Sequence, residues 1–144
     1  SLKEGLLNLI DADTDAFNHV LDAYGMPQGS EDQASQRNEA IDKSMKEATD
    51  IPFKTLKCCH EVMIYAQEAA EYGQSNSVSD AGVAAEMANA GAQGAALNVK
   101  INLNDINDVK YCQKMKKQTD KLVTEAENAL VIIRKIILGK LCSE

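Results

Sequence analysis

The sequence has no tryptophan, and aromatic residues make up only 4% of its 144 positions. A core built from it is therefore aliphatic, made of Leu, Ile, Val, Ala and Met. It lacks an excess of basic residues: the net charge is −7, which argues against nucleic acid or an anionic membrane as the main partner. It lacks any apolar run long enough to span a bilayer, and any signal-peptide pattern. Its cysteines, Cys58, Cys59, Cys112 and Cys142, include no CxxC spacing. Adjacent helical residues point about 100° apart, so Cys58 and Cys59 do not chelate one metal as a pair. The expectation is reduced thiols in a cytoplasmic protein with no metal site. There is no Walker loop, dinucleotide fingerprint, HExxH, Ser/His/Asp set or tandem repeat. No β-alternation survives a count.

What is present is helical periodicity in a chain that is 44% hydrophobic, enough for one domain with a real core. The pattern predicts an all-α antiparallel bundle of about five helices with a long C-terminal helix. The first helix runs from Leu2 to Tyr24. Its apolar stripe is Leu2, Leu6, Leu9, Ile10, Phe17, Val20, Leu21 and Tyr24. Asp13 falls in the gap of that stripe, so it is either tied to a partner or lines a polar cavity. Ser30 with Gln33 makes a capping-box pattern for a strongly polar second helix. Arg37 beside its thin stripe is either an anion ligand or a cover for apolar neighbours. Asp50-Ile51-Pro52 is expected to end that helix and start a third. The stripe of the third helix is Phe53, Leu56, Cys59, Met63, Ala66 and Ala70. His60, beside that stripe, reads as a structural histidine. Gly73 fits its C-terminal cap. The last helix spans Val109 to Leu138, with Asp105 or Asn107 as its cap and Gly139 as its end.

The stretch from Asn76 to Asn102, NSVSDAGVAAEMANAGAQGAALNVKIN, is the most informative. Ser77 or Ser79 can cap a helix, and Asp80 suits its positive end. Gly82, Gly91 and Gly94 each cost about 1 kcal/mol relative to alanine, so another backbone or a ligand is expected close by. Asp80, Asn98 and Asn102 share a face. Asp80 and Asn98 lie roughly 27 Å apart along a continuous helix, too far to grip one reacting atom. Asn98 and Asn102 are one turn apart and can act together. The alternative is a buried packing helix with a capped start.

This stretch, N-S-V-S-D-A-G-V-A-A followed by G-A-A-L-N-V-K-I-N, resembles the cyclodeaminase/cyclohydrolase family. The segment L-L-N-L-I-D-A-D-T-D-A-F, from Leu6 to Phe17, then G-M-P-Q-G-S and Pro52, resembles it too. The resemblance implies a single helical domain over 1–144, a homodimer and a folate one-carbon substrate, with no cofactor beyond the tetrahydrofolate derivative itself. Two reactions follow: closure of formimino-tetrahydrofolate with loss of ammonia, or hydration of the methenyl bridge. Asp80, Ser79 and Asp13 are then candidate catalytic residues, and Asn76, Asn98, Asn102 and Phe17 candidate substrate contacts. The family's P-G-G-G-S-type glycine loop has no counterpart here, so the domain is expected to be N-terminally incomplete. The rival expectation is a helical dimer, scaffold or folate-binding protein of the same fold without turnover.

Overall fold

The computed structural model describes residues 1–142, and among these every regular element is helical. The helices are α1 (Leu2–Tyr24), α2 (Glu31–Tyr72), α3 (Val78–Asn102) and α4 (Val109–Leu141), with 3-10 turns at Ser75–Ser77 and Leu103–Asp105. The bundle is all-α as expected, but it has four α-helices rather than about five.

The difference lies at Pro52. Instead of breaking at Asp50-Ile51-Pro52, α2 runs through it for 42 residues, about 63 Å. A proline inside a helix has no N–H for the carbonyl four residues back, which here is Ala48. That carbonyl accepts instead from Asn102 Nδ2 at 3.1 Å. On either side, Thr49 Oγ1 donates to the Met45 carbonyl at 2.7 Å and Thr55 Oγ1 to the Ile51 carbonyl at 3.3 Å. The tertiary contact from Asn102 thus supplies the donor that the proline removes, while the two threonine hydroxyls add second bonds to carbonyls on either side.

α2 is the hub against which the other three helices pack. Its Leu56 and Met63 meet Ala85, Ala92, Ala126 and Ile133 in one aliphatic core. Leu56, Met63 and Ile133 are fully buried, each contributing about 1.5–3 kcal/mol. The alanines of α3 let its backbone approach α2 closely. At Gly91 even a methyl is too much, since a Cβ would stand 2.9 Å from Cys59 Sγ. A Cβ at Gly82 would meet only the flexible end of Ile137, and one at Gly94 would meet nothing. The backbone expected close to the three glycines is not there within the chain: side chains approach Gly82 and Gly91, and nothing approaches Gly94.

α3 and α4 are joined by a ladder of polar pairs: Arg134 with Glu86, Gln93 with Glu127, and Lys100 with Asp120. Each rung is seven residues from the next on both helices, so one exposed edge is stitched antiparallel along its length. Single exposed pairs of this kind contribute little; the ladder fixes register.

α1 packs mainly on α2, so it buries a narrow stripe of Ala16, Val20 and Ala23. Of the wider stripe expected from the sequence, Ile10, Phe17, Leu21 and Tyr24 remain exposed. Arg37 takes one of the two roles expected, covering an apolar neighbour: its guanidinium lies 5.6 Å from the centre of the Tyr24 ring. Its Nε and Nη2 donate to the Tyr24 carbonyl at 3.3 and 3.1 Å, capping the end of α1. His60 Nε2 lies 3.2 Å from Glu125 Oε2, a structural tie between α2 and α4.

The caps differ in detail from expectation. Ser30 Oγ accepts from Gln33 N, while Gln33 Oε1 reaches back to Gly29 N. Ser77 precedes α3 without a side-chain cap bond. Asp108, not Asp105 or Asn107, caps α4, its Oδ1 accepting from Tyr111 N at 3.0 Å. Gly139 does not end α4, which continues to Leu141. Lys46 ties the α3–α4 connection to α2, lying 2.8 Å from Asp42 Oδ2 and 3.0 Å from Asp108 Oδ2. No helix among the described residues is long and apolar enough to cross a membrane.

Candidate functional site

The continuity of α2 through Pro52 creates a groove. α1 leans mainly on α2, so a channel is left between α1 and the C-terminal half of α3, with Pro52 among its lining. Two adjoining hollows of about 390 and 400 Å³ form it, and both are lined by Asp13, Pro52 and Asn98. Leu6, Ile10 and Thr55 line one hollow. Phe17, Asn102 and Asp105 line the other.

Four residues singled out in the sequence therefore converge: Asp13, Phe17, Asn98 and Asn102. The gap in the α1 stripe at Asp13 is explained by this cavity, not by an ion pair. Asp13 and Asn98 are exposed and have no hydrogen-bond partner among the described residues. Asn102 is half-buried, and its Nδ2 is committed to Ala48, so only its Oδ1 is left to face the groove. Asp105 was expected as a cap for the last helix. It lies at the groove's end instead, because the 3-10 turn Leu103–Asp105 carries it there. Periodicity gives no signal for that position.

The groove is polar with a negative bias. Two carboxylates, two amides and the hydroxyl-bearing Thr14, Tyr24 and Thr55 meet apolar walls, and neither lysine nor arginine lines it. Such a site suits a flat, partly apolar ligand that carries donors or positive charge. The carboxylate of Asp13 is placed to exchange protons with it.

The remaining candidates lie elsewhere. Asn76 is exposed in the 3-10 turn before α3, and Asp80 is exposed in its first turn. Ser79 borders a separate apolar hollow of about 550 Å³ between α3 and α4, with Val83, Met87 and Leu138. Because α3 is unbroken, these three residues stay at the opposite end from Asn98 and Asn102, and a single chain does not bring the two sets together.

The thiols are free among the described residues. Burial pushes Cys59 up from its ordinary value, which suits packing and not nucleophilic attack. Tyr111, with its hydroxyl 3.2 Å from Asp50 Oδ1, is raised by burial first and by the Asp50 charge second. It holds α4 to α2 and does not titrate near neutrality.

Comparison with known proteins agrees with this geometry. The formiminotransferase-cyclodeaminase family model matches residues 1–121. A methenyltetrahydrofolate cyclohydrolase of Methylorubrum extorquens is 37% identical over 87% of this chain and 60% of its own length. A formimidoyltransferase-cyclodeaminase of Dictyostelium discoideum is 35% identical over 90% of this chain, but only 23% of its own length. Among solved structures, formiminotetrahydrofolate cyclodeaminase from Thermotoga maritima superposes with a TM-score of 0.80 at 25% identity. That superposition covers 93% of this chain and 63% of the other.

Proposed function

Because the chain belongs to the formiminotransferase-cyclodeaminase family, we propose that it acts in folate one-carbon metabolism, with the groove around Asp13 and Asn98 as its reaction site. The substrate is a tetrahydrofolate whose one-carbon unit is bonded to ring or linker nitrogen. Two reactions fit one acid–base group.

In the cyclohydrolase direction, water adds to the cationic methenyl carbon and gives up a proton to Asp13. One C–N bond then breaks as the added hydroxyl becomes a carbonyl and its proton passes to the leaving nitrogen, so that a formyl group remains and one proton is released in all. In the cyclodeaminase direction, an N–H nitrogen attacks the carbon of the protonated formimino group and gives up its proton to Asp13. Asp13 passes a proton to the departing amino group, which leaves as ammonia, and the methenyl bridge is formed. The first is a hydrolase reaction and the second a lyase reaction. Both pass through a tetrahedral carbon, and a positioned carboxylate contributes about 10²–10⁴-fold to such proton transfers. Asn98 and the free Oδ1 of Asn102 orient the ligand's polar edge, and Phe17 offers an apolar face.

The observation that carries this reading is the pairing of unpartnered Asp13 and Asn98 across Pro52, in a groove free of basic residues that suits a methenyl cation. The chain spans 60% of the length of the cyclohydrolase relative. The rival reading is a folate-binding helical dimer or scaffold of the same fold without turnover. Free thiols suit a reducing compartment, so we place the protein in the cytoplasm, as a homodimer.

Offering formimino- and methenyl-tetrahydrofolate separately, and following the methenyl absorbance, distinguishes the readings. Gain of absorbance from the first marks the cyclodeaminase, and faster loss from the second marks the cyclohydrolase. Binding without either change supports the non-catalytic rival and removes the enzymatic reading.

A further inference from the structure

The two hollows of the groove are not alike. Asp13, Pro52 and Asn98 belong to both. The first hollow adds the apolar Leu6, Leu9, Ile10 and Ile51, with Thr14 and Thr55 as its other polar residues. Both of those hydroxyls already donate to helix carbonyls, Thr14 to Ile10 and Thr55 to Ile51, at 3.3 Å each. The first hollow is therefore an apolar slot. The second adds a charge of its own, Asp105, together with the Oδ1 of Asn102. Asp105 is exposed, and its carboxylate has no hydrogen-bond or ion-pair partner among the described residues. That end of the groove thus presents acceptors and asks for donors.

Asp13 stands where the hollows meet. A tetrahydrofolate is divided in the same way: its one-carbon unit lies between a pterin on one side and an aminobenzoyl ring on the other. Setting that unit at Asp13 leaves two orientations, and charge chooses between them. One edge of the pterin carries N3–H and the 2-amino group side by side, two parallel donors that match the two oxygens of one carboxylate. The aminobenzoyl ring has no such edge. It leads instead to a glutamate, whose carboxylates Asp105 repels.

Resting on the reading that the groove takes a tetrahydrofolate, we propose that Asp105 is a specificity-determining residue for the pterin. Its carboxylate accepts from N3–H and the 2-amino group, while the aminobenzoyl ring lies in the slot of Leu6 and Ile10 and its glutamate leaves the groove away from Asp105. Asp105 stands roughly 12 Å beyond Asn98 along α3 and its 3-10 extension. A fused two-ring system spans that separation when side chains reach in from both ends. Holding the ring by its far edge fixes the one-carbon unit at Asp13, which is how binding at a distance serves proton transfer.

Calorimetry of the full chain with 5-methyl-tetrahydrofolate, whose methyl group neither reaction can change, and with its 2-deamino-2-methyl analogue tests the assignment. The wild type is expected to bind the analogue about 10- to 100-fold more weakly, as for loss of a hydrogen bond to a charged group. Asp105→Asn, at an exposed side chain with no partner in the fold, is expected to keep the helical circular dichroism, to bind the parent compound by the same factor more weakly and to lose most of the discrimination. Ile10→Glu, in the other hollow, should weaken both ligands alike and keep their ratio. A merely structural Asp105 would also weaken both alike. Equal affinities in the wild type, a ratio kept in Asp105→Asn, or one lost in Ile10→Glu would each overturn the assignment, and methenyl turnover by the wild type would still uphold the reaction. A wild type that neither binds nor turns over any tetrahydrofolate would remove the reaction and this assignment together.

Discussion

The side-chain amide of Asn102 donates to the Ala48 carbonyl at 3.1 Å, the acceptor that Pro52 leaves without a helical donor. One residue of α3 thus repairs a defect in α2 that lies in the lining of the groove. Asn102→Ala is expected to cost about 1–3 kcal/mol, the range for a half-buried polar group left unpaired. Pro52→Ala restores the N–H, so Asn102→Ala should cost less in that background. Urea unfolding of the four proteins in the cycle measures the coupling; strictly additive losses contradict the repair.

Gly91 sets the closeness of α3 to α2. Gly91→Ala brings a methyl against Cys59 Sγ, an overpacking expected to cost about 1–3 kcal/mol. Adding Cys59→Ala makes room, so the double variant should lose less than the sum of the singles. Gly94→Ala meets no atom within the chain and is expected to gain about 1 kcal/mol in the monomer from helix propensity. Thermal unfolding at low protein concentration checks both.

The Asp42–Lys46–Asp108 cluster gives an acid-sensitive latch on the α3–α4 connection. Asp42 is held below its ordinary value by the Lys46 ammonium, and Asp108 by the Tyr111 backbone N–H and then by Lys46. Both carboxyls are depressed in the fold. Their stabilising contribution is therefore full above the ordinary aspartate value, near 3.9, and is lost as pH falls through the lower folded values. Lys46 is raised, chiefly by Asp42, so its contribution is present below the ordinary lysine value and lost at strongly alkaline pH. Melting curves of the wild type and of Lys46→Met should differ at neutral pH and converge as the pH falls well below the ordinary aspartate value. A gap that persists under acid would contradict the latch.

Much of this was legible in the sequence. α1 was bounded correctly because Gly25 follows an amphipathic run, and α3 because Asp80 and its alanines follow a loop. The gap at Asp13 left a polar cavity as one of two readings and the one-turn spacing let Asn98 and Asn102 act together; all three line one hollow. Pro52 misled because its compensation comes from Asn102, 54 positions away in the chain from the Ala48 carbonyl it serves. The inward face of α1 was misjudged because a wide apolar stripe does not say how many helices will touch it. Asp105 was missed as a groove residue because capping residues cluster in any turn, and only the 3-10 geometry decides which of them caps.

The central claim is that Asp13 transfers the proton at the one-carbon unit. It is tested most directly by the rate of methenyl-absorbance change in the wild type and in Asp13→Asn, with folate binding followed by calorimetry. The account predicts a loss of about 10²–10⁴-fold in turnover, with binding and helical content retained. Full turnover in Asp13→Asn would contradict it.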